Sequence, residues 1–162
     1  MANPNPIRPT DDEARALAKR LLATATFAAL GTIDPTTSAP MVTRIALATT
    51  PDRLPVSLIS DLSLHAGALK SNPACSLLVG EPGNKGDPLT HPRLTLQCTA
   101  RAIQKREPGY AQLSHHYLSC RPKAALYAGF ADFYFVVFDI TSGFLNGGFG
   151  KAFRLTPNDL TG

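Results

Sequence analysis

The segment VSLISDLSLHAGALKSNPACSLLVG, Val56 to Gly80, decides how the chain is read. Val56 to Ser60 is an apolar run of strand length. Beyond Asp61 and Ser63 the apolar residues recur at helical spacing, which predicts a helix. Asn72-Pro73 ends that helix, because the residue before a proline is pushed out of the helical region, and Ala74 to Val79 is strand-like again. The unit is strand, short helix, strand. Its turn gathers Ser60, Asp61, Ser63 and His65 at a helix N-terminus, where unpaired N–H groups and the positive end of the helix dipole suit a phosphate.

Outward from this unit, composition narrows the possibilities. A chain of 162 residues, 44% hydrophobic and 17% charged, fits one globular domain, and no apolar run reaches the roughly 20 residues that span a bilayer. The N-terminal MANPNPIRP has no apolar core of the signal-peptide kind, so a cytoplasmic protein is expected. Cys75, Cys98 and Cys120 are widely spaced, odd in number and without a CxxC, which favours buried free thiols over a disulfide framework or a zinc site. The net charge of +4 comes from 16 Lys and Arg dispersed along the chain rather than in a stripe, and no recognition motif accompanies it. Nucleic acid is therefore not expected as a partner.

Residues 1–9, with three prolines and two asparagines, are expected to form an arm that is mobile or packs on a partner, ahead of a single domain over 10–162. Thr10 with Glu13 matches a capping box, and Ala14, Leu17, Ala18, Leu21 and Leu22 share one face of the helix that follows. Arg15, Lys19 and Arg20 fall on its other, solvated side. Thr26 to Ile33 and Met41 to Ala48 read as a hairpin, with Arg44 interrupting an apolar strand. That arginine needs solvent, a carboxylate or an anionic ligand. A glycine- and proline-rich loop precedes a strand from Arg93 to Ile103, whose leucines face opposite Thr95 and Gln97. Glu107 to Cys120 has helical spacing with Pro108 in its first turn. His115, His116 and Cys120 lack a third ligand at a sensible spacing for a metal. A short helix at Lys123 to Ala128, a strand at Asp132 to Asp139 and the glycine-rich SGFLNGGFGKAFRL close the chain.

There is no GxSxG, no HExxH, no GxGxxG after a strand and no pair of carboxylates in acid and base roles. Six or seven strands with short helices and little βαβ alternation favour a mainly β, α+β domain built on an antiparallel barrel. A phosphorylated cofactor at the Ser60–His65 turn is the ligand that the residues suggest.

In this order, ATFAALGTIDPTTSAPMVTRIAL, LISDLSLHAGALKSNPACSLLVG, GDPLTHPRLTLQCTA, RPKAALYAGFADFYFVVFDI and NGGFGKA resemble the pyridoxamine 5′-phosphate oxidase-like FMN-binding split barrels, and within them the HugZ-like branch. The resemblance covers almost the whole chain. It implies a six-stranded antiparallel split β-barrel with flanking helices, paired as a homodimer with an FMN cleft at each side of the interface. Thr43, Arg44, Ile45 and Ala46 match the strand that lies along the flavin ring. Ile59, Ser60, Ser63 and His65 match the phosphate end, and Gln97 matches a polar residue that approaches the ring.

Where relatives with the fullest phosphate motif read Ser-Arg-Lys, this chain reads Ser63-Leu64-His65, and Gly67 and Ala68 replace larger polar residues. A charge-assisted hydrogen bond contributes roughly 1.5 to 3 kcal/mol, about ten- to a hundredfold in affinity, so weaker FMN retention is expected. The resemblance implies a flavin-dependent oxidoreductase acting on a small molecule, with haem binding or haem degradation as one alternative and a non-catalytic or flavin-free dimer as another. Haem-degrading members place an iron-ligating histidine in a C-terminal extension, and no histidine follows His116 here.

Overall fold

The computed structural model describes residues 5–162. Its elements are Ile7–Arg8 (β1), Asp12–Thr24 (α1), Phe27–Ile33 (β2), Pro40–Ala46 (β3), Ala48–Thr49 (β4), Pro55–Ser60 (β5), Leu64–Ser71 (α2), Ala74–Val79 (β6), Arg93–Ile103 (β7), Tyr110–Cys120 (α3), Phe133–Asn146 (β8), Ala152–Leu155 (β9) and Pro157–Thr161 (α4). Short 3-10 turns lie at Pro88–Thr90 and Pro122–Leu126.

Six long strands make one antiparallel path: β3 pairs with β2, β2 with β6, β6 with β7, β7 with β8, and β8 with β5. The ends of the path, β3 and β5, come side by side without a ladder. Ser57 Oγ bridges them by donating to the Ala46 carbonyl at 2.6 Å. This opening is the split of a split β-barrel. The 14 residues of β8 let one edge serve two partners, β5 along its first half and β9 at its end. β5 is buried on both faces, Ile59 toward the barrel interior and Val56 and Leu58 toward α3, which is why its sequence is apolar without alternation. Leu30, Leu77, Leu96 and Phe138 fill the barrel. Tyr117 of α3 meets Phe135 edge-on at 5.2 Å in a second core on the other side of β5 and β8. Gly80 ends β6 at φ +100°, where a Cβ would stand 2.6 Å from the Pro92 carbonyl oxygen, so only glycine fits this turn.

Several local expectations shift. The N-cap of α1 is Asp11, whose carboxylate accepts from the Ala14 N–H at 2.8 Å, while Thr10 instead donates its hydroxyl to the Arg154 carbonyl. Ala14, Ala18 and Leu22 do form the buried face of α1, with Leu17 and Leu21 beside them. The opposite side is not simply solvated, since Arg15 pairs with Asp159 at 2.6 Å. Gly109, at φ +88°, delays α3 to Tyr110 and leaves Pro108 outside it. Of the N-terminal arm, residues 1–4 lie outside the described residues, and Ile7 and Arg8 pair in parallel with Ala152 and Phe153 of β9. Two-residue strands such as β1 and β4 are too short to show a periodic pattern. Among the described residues, no helix is long and apolar enough to cross a membrane.

Candidate functional site

The split holds a cleft of about 280 Å³. β3 contributes Arg44, Ile45 and Ala46; β5 contributes Ile59 and Ser60; the turn into α2 contributes Ser63 and His65. Thr43 joins them through a 3.0 Å hydrogen bond between its Oγ1 and His65 Nδ1. Eight of the nine residues expected to hold a cofactor thus converge, drawn together because β3 and β5 close the barrel without sharing a ladder. The sequence offered less warning of Tyr127 and Phe133, which line the same cleft with ring centroids 5.0 Å apart. Phe133 arrives by register, opposite Ser60 on the β5–β8 ladder. Because β3 lacks a ladder on this side, the Arg44 backbone and the Ala46 N–H face the opening, while Ile45 bonds into the β2 ladder and the Ala46 carbonyl is held by Ser57; two aromatic rings lie beside them. That arrangement suits a flat heterocycle.

The turn at the other end is differently disposed. Ser60 Oγ donates to the Asp132 carboxylate and accepts from the Leu62 N–H at 3.1 Å. Asp61 N–H donates to the Asp132 carbonyl at 2.8 Å, and Ser63 sends both its N–H (3.1 Å) and its hydroxyl (2.6 Å) to the Ser60 carbonyl. Both hydroxyl protons are therefore committed within the turn. Lys70 is committed as well, to Asp61. Arg44 is the one permanently charged side chain among the described residues lining the cleft, and its guanidinium lies 5.5 Å from the centroid of Phe27. Burial lowers the pKa of His65 below its usual 6.5, toward the neutral imidazole. With Nδ1 facing Thr43, Nε2 is the ring atom left for a ligand. The residues present fit a flavin ring better than they fit its phosphate.

Gln97 stands elsewhere. Registers place Arg44, Ala29, Leu78, Thr95 and Phe144 in one row across the outer face of the sheet, and Val42, Gly31, Ser76, Gln97 and Ser142 in the next. Arg44 and Gln97 share that face but sit three strand spacings apart, about 14 Å at ~4.8 Å each. Gln97 accepts from Ser142 Oγ at 2.9 Å and borders a separate cleft of about 470 Å³ with Ser76, Thr99 and Thr141. The face is mixed, and it carries several exposed apolar side chains. Val42 is 70% exposed and Leu78 45%, with Phe27, Ile33 and Phe144 each more than a third exposed.

The three thiols are free, and Cys75 and Cys98 are buried opposite one another on β6 and β7. Burial pushes the Cys75 thiol up to about 11 and Cys98 higher still. His116 Nε2 bonds the Thr49 carbonyl at 2.7 Å and lies 3.9 Å from Cys120 Sγ. Among the described residues, no group of three or more His, Cys, Asp or Glu is placed to hold a metal.

A family model described as CREG, beta-barrel matches residues 9–160. A solved structure 43% identical to the chain superposes with a TM-score of 0.86, the alignment covering 96% of this chain and 99% of the other. A heme-binding protein from Mycobacterium smegmatis is similar at 22% identity and TM-score 0.81, over 96% of this chain and 61% of its own length, so the chain spans about six tenths of that protein. An FAD-binding protein from Mesorhizobium loti is similar at 12% identity and TM-score 0.64, over 79% of this chain and 90% of the other. The last two likenesses bear on the fold. No curated protein matches the chain.

Proposed function

The chain belongs to the CREG β-barrel family, and from that premise we propose that it is a flavin-binding, oxidoreductase-like protein that works as a homodimer on a small molecule. Within the wider split-barrel group we propose the HugZ-like branch, on the ordered set of segments from Ala25 to Ala152 taken together, with Ser63 to Ala68 as the place where the chain departs from it. The observation that carries the flavin reading is the convergence of Thr43 to Ala46 with Ile59, Ser60, Ser63 and His65 at the unladdered β3–β5 opening, against Tyr127 and Phe133. FMN is the flavin that the resemblance implies, and the FAD-binding relative supports a flavin on this fold. Redox chemistry would belong to the flavin, while the chain's part is to hold the ring by β3 backbone groups and to exclude water with the two aromatics.

The dimer reading is supported by the exposed apolar side chains of the outer face around Val42 and Leu78. We propose that pairing two copies there sets Gln97 of one beside the cleft of the other.

The test is spectroscopic. Purified protein titrated with FMN should bind it, seen as quenching of the flavin fluorescence, and Ala46→Leu, which fills the cleft, should not. A wild-type protein that takes up no flavin would sink the proposal. Haem is the second reading, favoured by a His65 held neutral with Nδ1 on Thr43 and Nε2 free, which is the state in which imidazole ligates iron. A Soret band that forms on haem addition and shifts in His65→Ala would promote it.

A further inference from the structure

We propose that the cleft selects its ligand by the ring and disfavours the phosphate, with Asp132 as the specificity-determining residue, so that a flavin without a phosphate monoester is bound at least as well as FMN. This deepens the flavin reading above and rests on it.

A dianionic phosphate at the turn would need donors and positive charge. Ser60 and Ser63 are the hydroxyls in place, and the proton of each is already given to an acceptor inside the protein, Asp132 for one and the Ser60 carbonyl for the other. To donate to a phosphate, Ser60 would have to leave the Asp132 carboxylate. The carboxylate would remain, with its negative charge one hydrogen bond behind the site. Asp132 is held in position, because its backbone carbonyl accepts from the Asp61 N–H at 2.8 Å and it is the residue just before β8.

Positive charge near it is limited to Arg44, the one fixed cation among the described residues lining the cleft, which lies over Phe27; Lys70 is paired to Asp61, and His65 is turned to Thr43. The α2 N-terminus offers its first N–H groups, but Leu62 and Leu64, on either side of Ser63, are 86% and 75% exposed and surround the mouth with apolar surface. An uncharged ribityl chain meets none of these obstacles. Its hydroxyls can both donate and accept, which matches a turn that presents hydroxyl oxygens beside helix N–H groups.

The full-length chain is titrated with riboflavin and with FMN, following the quenching of flavin fluorescence. Riboflavin should bind as tightly as FMN or more tightly. FMN affinity should rise with added salt, which screens repulsion, while riboflavin affinity stays level. Asp132→Asn keeps an acceptor for Ser60 and removes the charge. It should tighten FMN at least about tenfold, the order expected for one charge at ~10 Å in an effective dielectric of ~20, and leave riboflavin unchanged. FMN bound more tightly than riboflavin by the wild-type chain, or FMN affinity that falls with salt, overturns this inference and leaves the flavin reading standing. Neither flavin binding overturns both. The salt series needs no variant, so it decides the matter even where Asp132→Asn fails to fold.

Discussion

Arg44 and Gln97 project from the same face of one sheet, in adjoining rows, with β2 and β6 between them. Three spacings of ~4.8 Å, roughly 14 Å, set them on two separate clefts of a single chain. In the proposed homodimer this face is covered by the second copy. Leu78 lies between them on that face, and Leu78→Asp should turn a dimer into a monomer and weaken flavin binding at least about tenfold, since a buried unpaired carboxylate at an interface costs several kcal/mol. Sedimentation equilibrium and fluorescence titration on the same samples check both halves. A wild-type chain that is monomeric at all concentrations would end the shared-cleft model.

His65 ties stability to pH. Its pKa is lowered below 6.5 by burial, so as pH falls the unfolded chain takes up this proton before the native state does. Its contribution is therefore whole above pH 6.5 and is lost as pH falls through the lowered native value. Urea unfolding of His65→Gln should show a flatter decline than wild type from pH 6.5 to roughly pH 5. An unchanged slope would mean that another group carries the dependence.

The thiols should separate by reactivity. Cys75, raised to about 11, and Cys98, raised further, are buried, whereas Cys120 is half-buried at the end of α3. At about pH 8 a thiol reagent should label Cys120 alone in the native protein and all three in denaturant, because thiolate is the reacting form. Rapid native labelling of Cys75 or Cys98 would contradict their burial.

Arg121 gives a stability prediction remote from the cleft. Its guanidinium donates to the carbonyls of Leu47 (2.7 Å), Ala25 (2.8 Å) and Cys120 (2.7 Å), joining the end of α3 to the α1–β2 link and the residue after β3. Arg121→Ala should cost about 3 kcal/mol by leaving three part-buried carbonyls without this partner. Arg121→Lys should recover little, since an ammonium cannot reproduce the fork. Chemical denaturation measures both, and a loss below about 1 kcal/mol for the alanine variant would refute the clamp.

The six long strands and the strand–helix–strand unit around Ser63 were legible in the sequence, because side-chain periodicity and a helix-stopping Asn72-Pro73 act over a few residues. The clustering of Thr43 to Ala46 with Ser60 and His65 was legible too, though only through resemblance, since β3 and β5 meet without a ladder for periodicity to report. Other features were set by contacts far apart in the chain. Asp132 reaches Ser60 across 72 residues, Phe133 enters the cleft through the β5–β8 register, and Gln97 is carried away from Arg44 by the order of strands in the sheet. Periodicity records which side of a strand is buried; it does not record which strand lies next to it or which charge that neighbour brings. So Ser60 and Ser63 looked in the sequence like free donors for a phosphate; the Ser63 proton is taken within the turn by the Ser60 carbonyl, and tertiary structure alone decided that the Ser60 proton goes to Asp132.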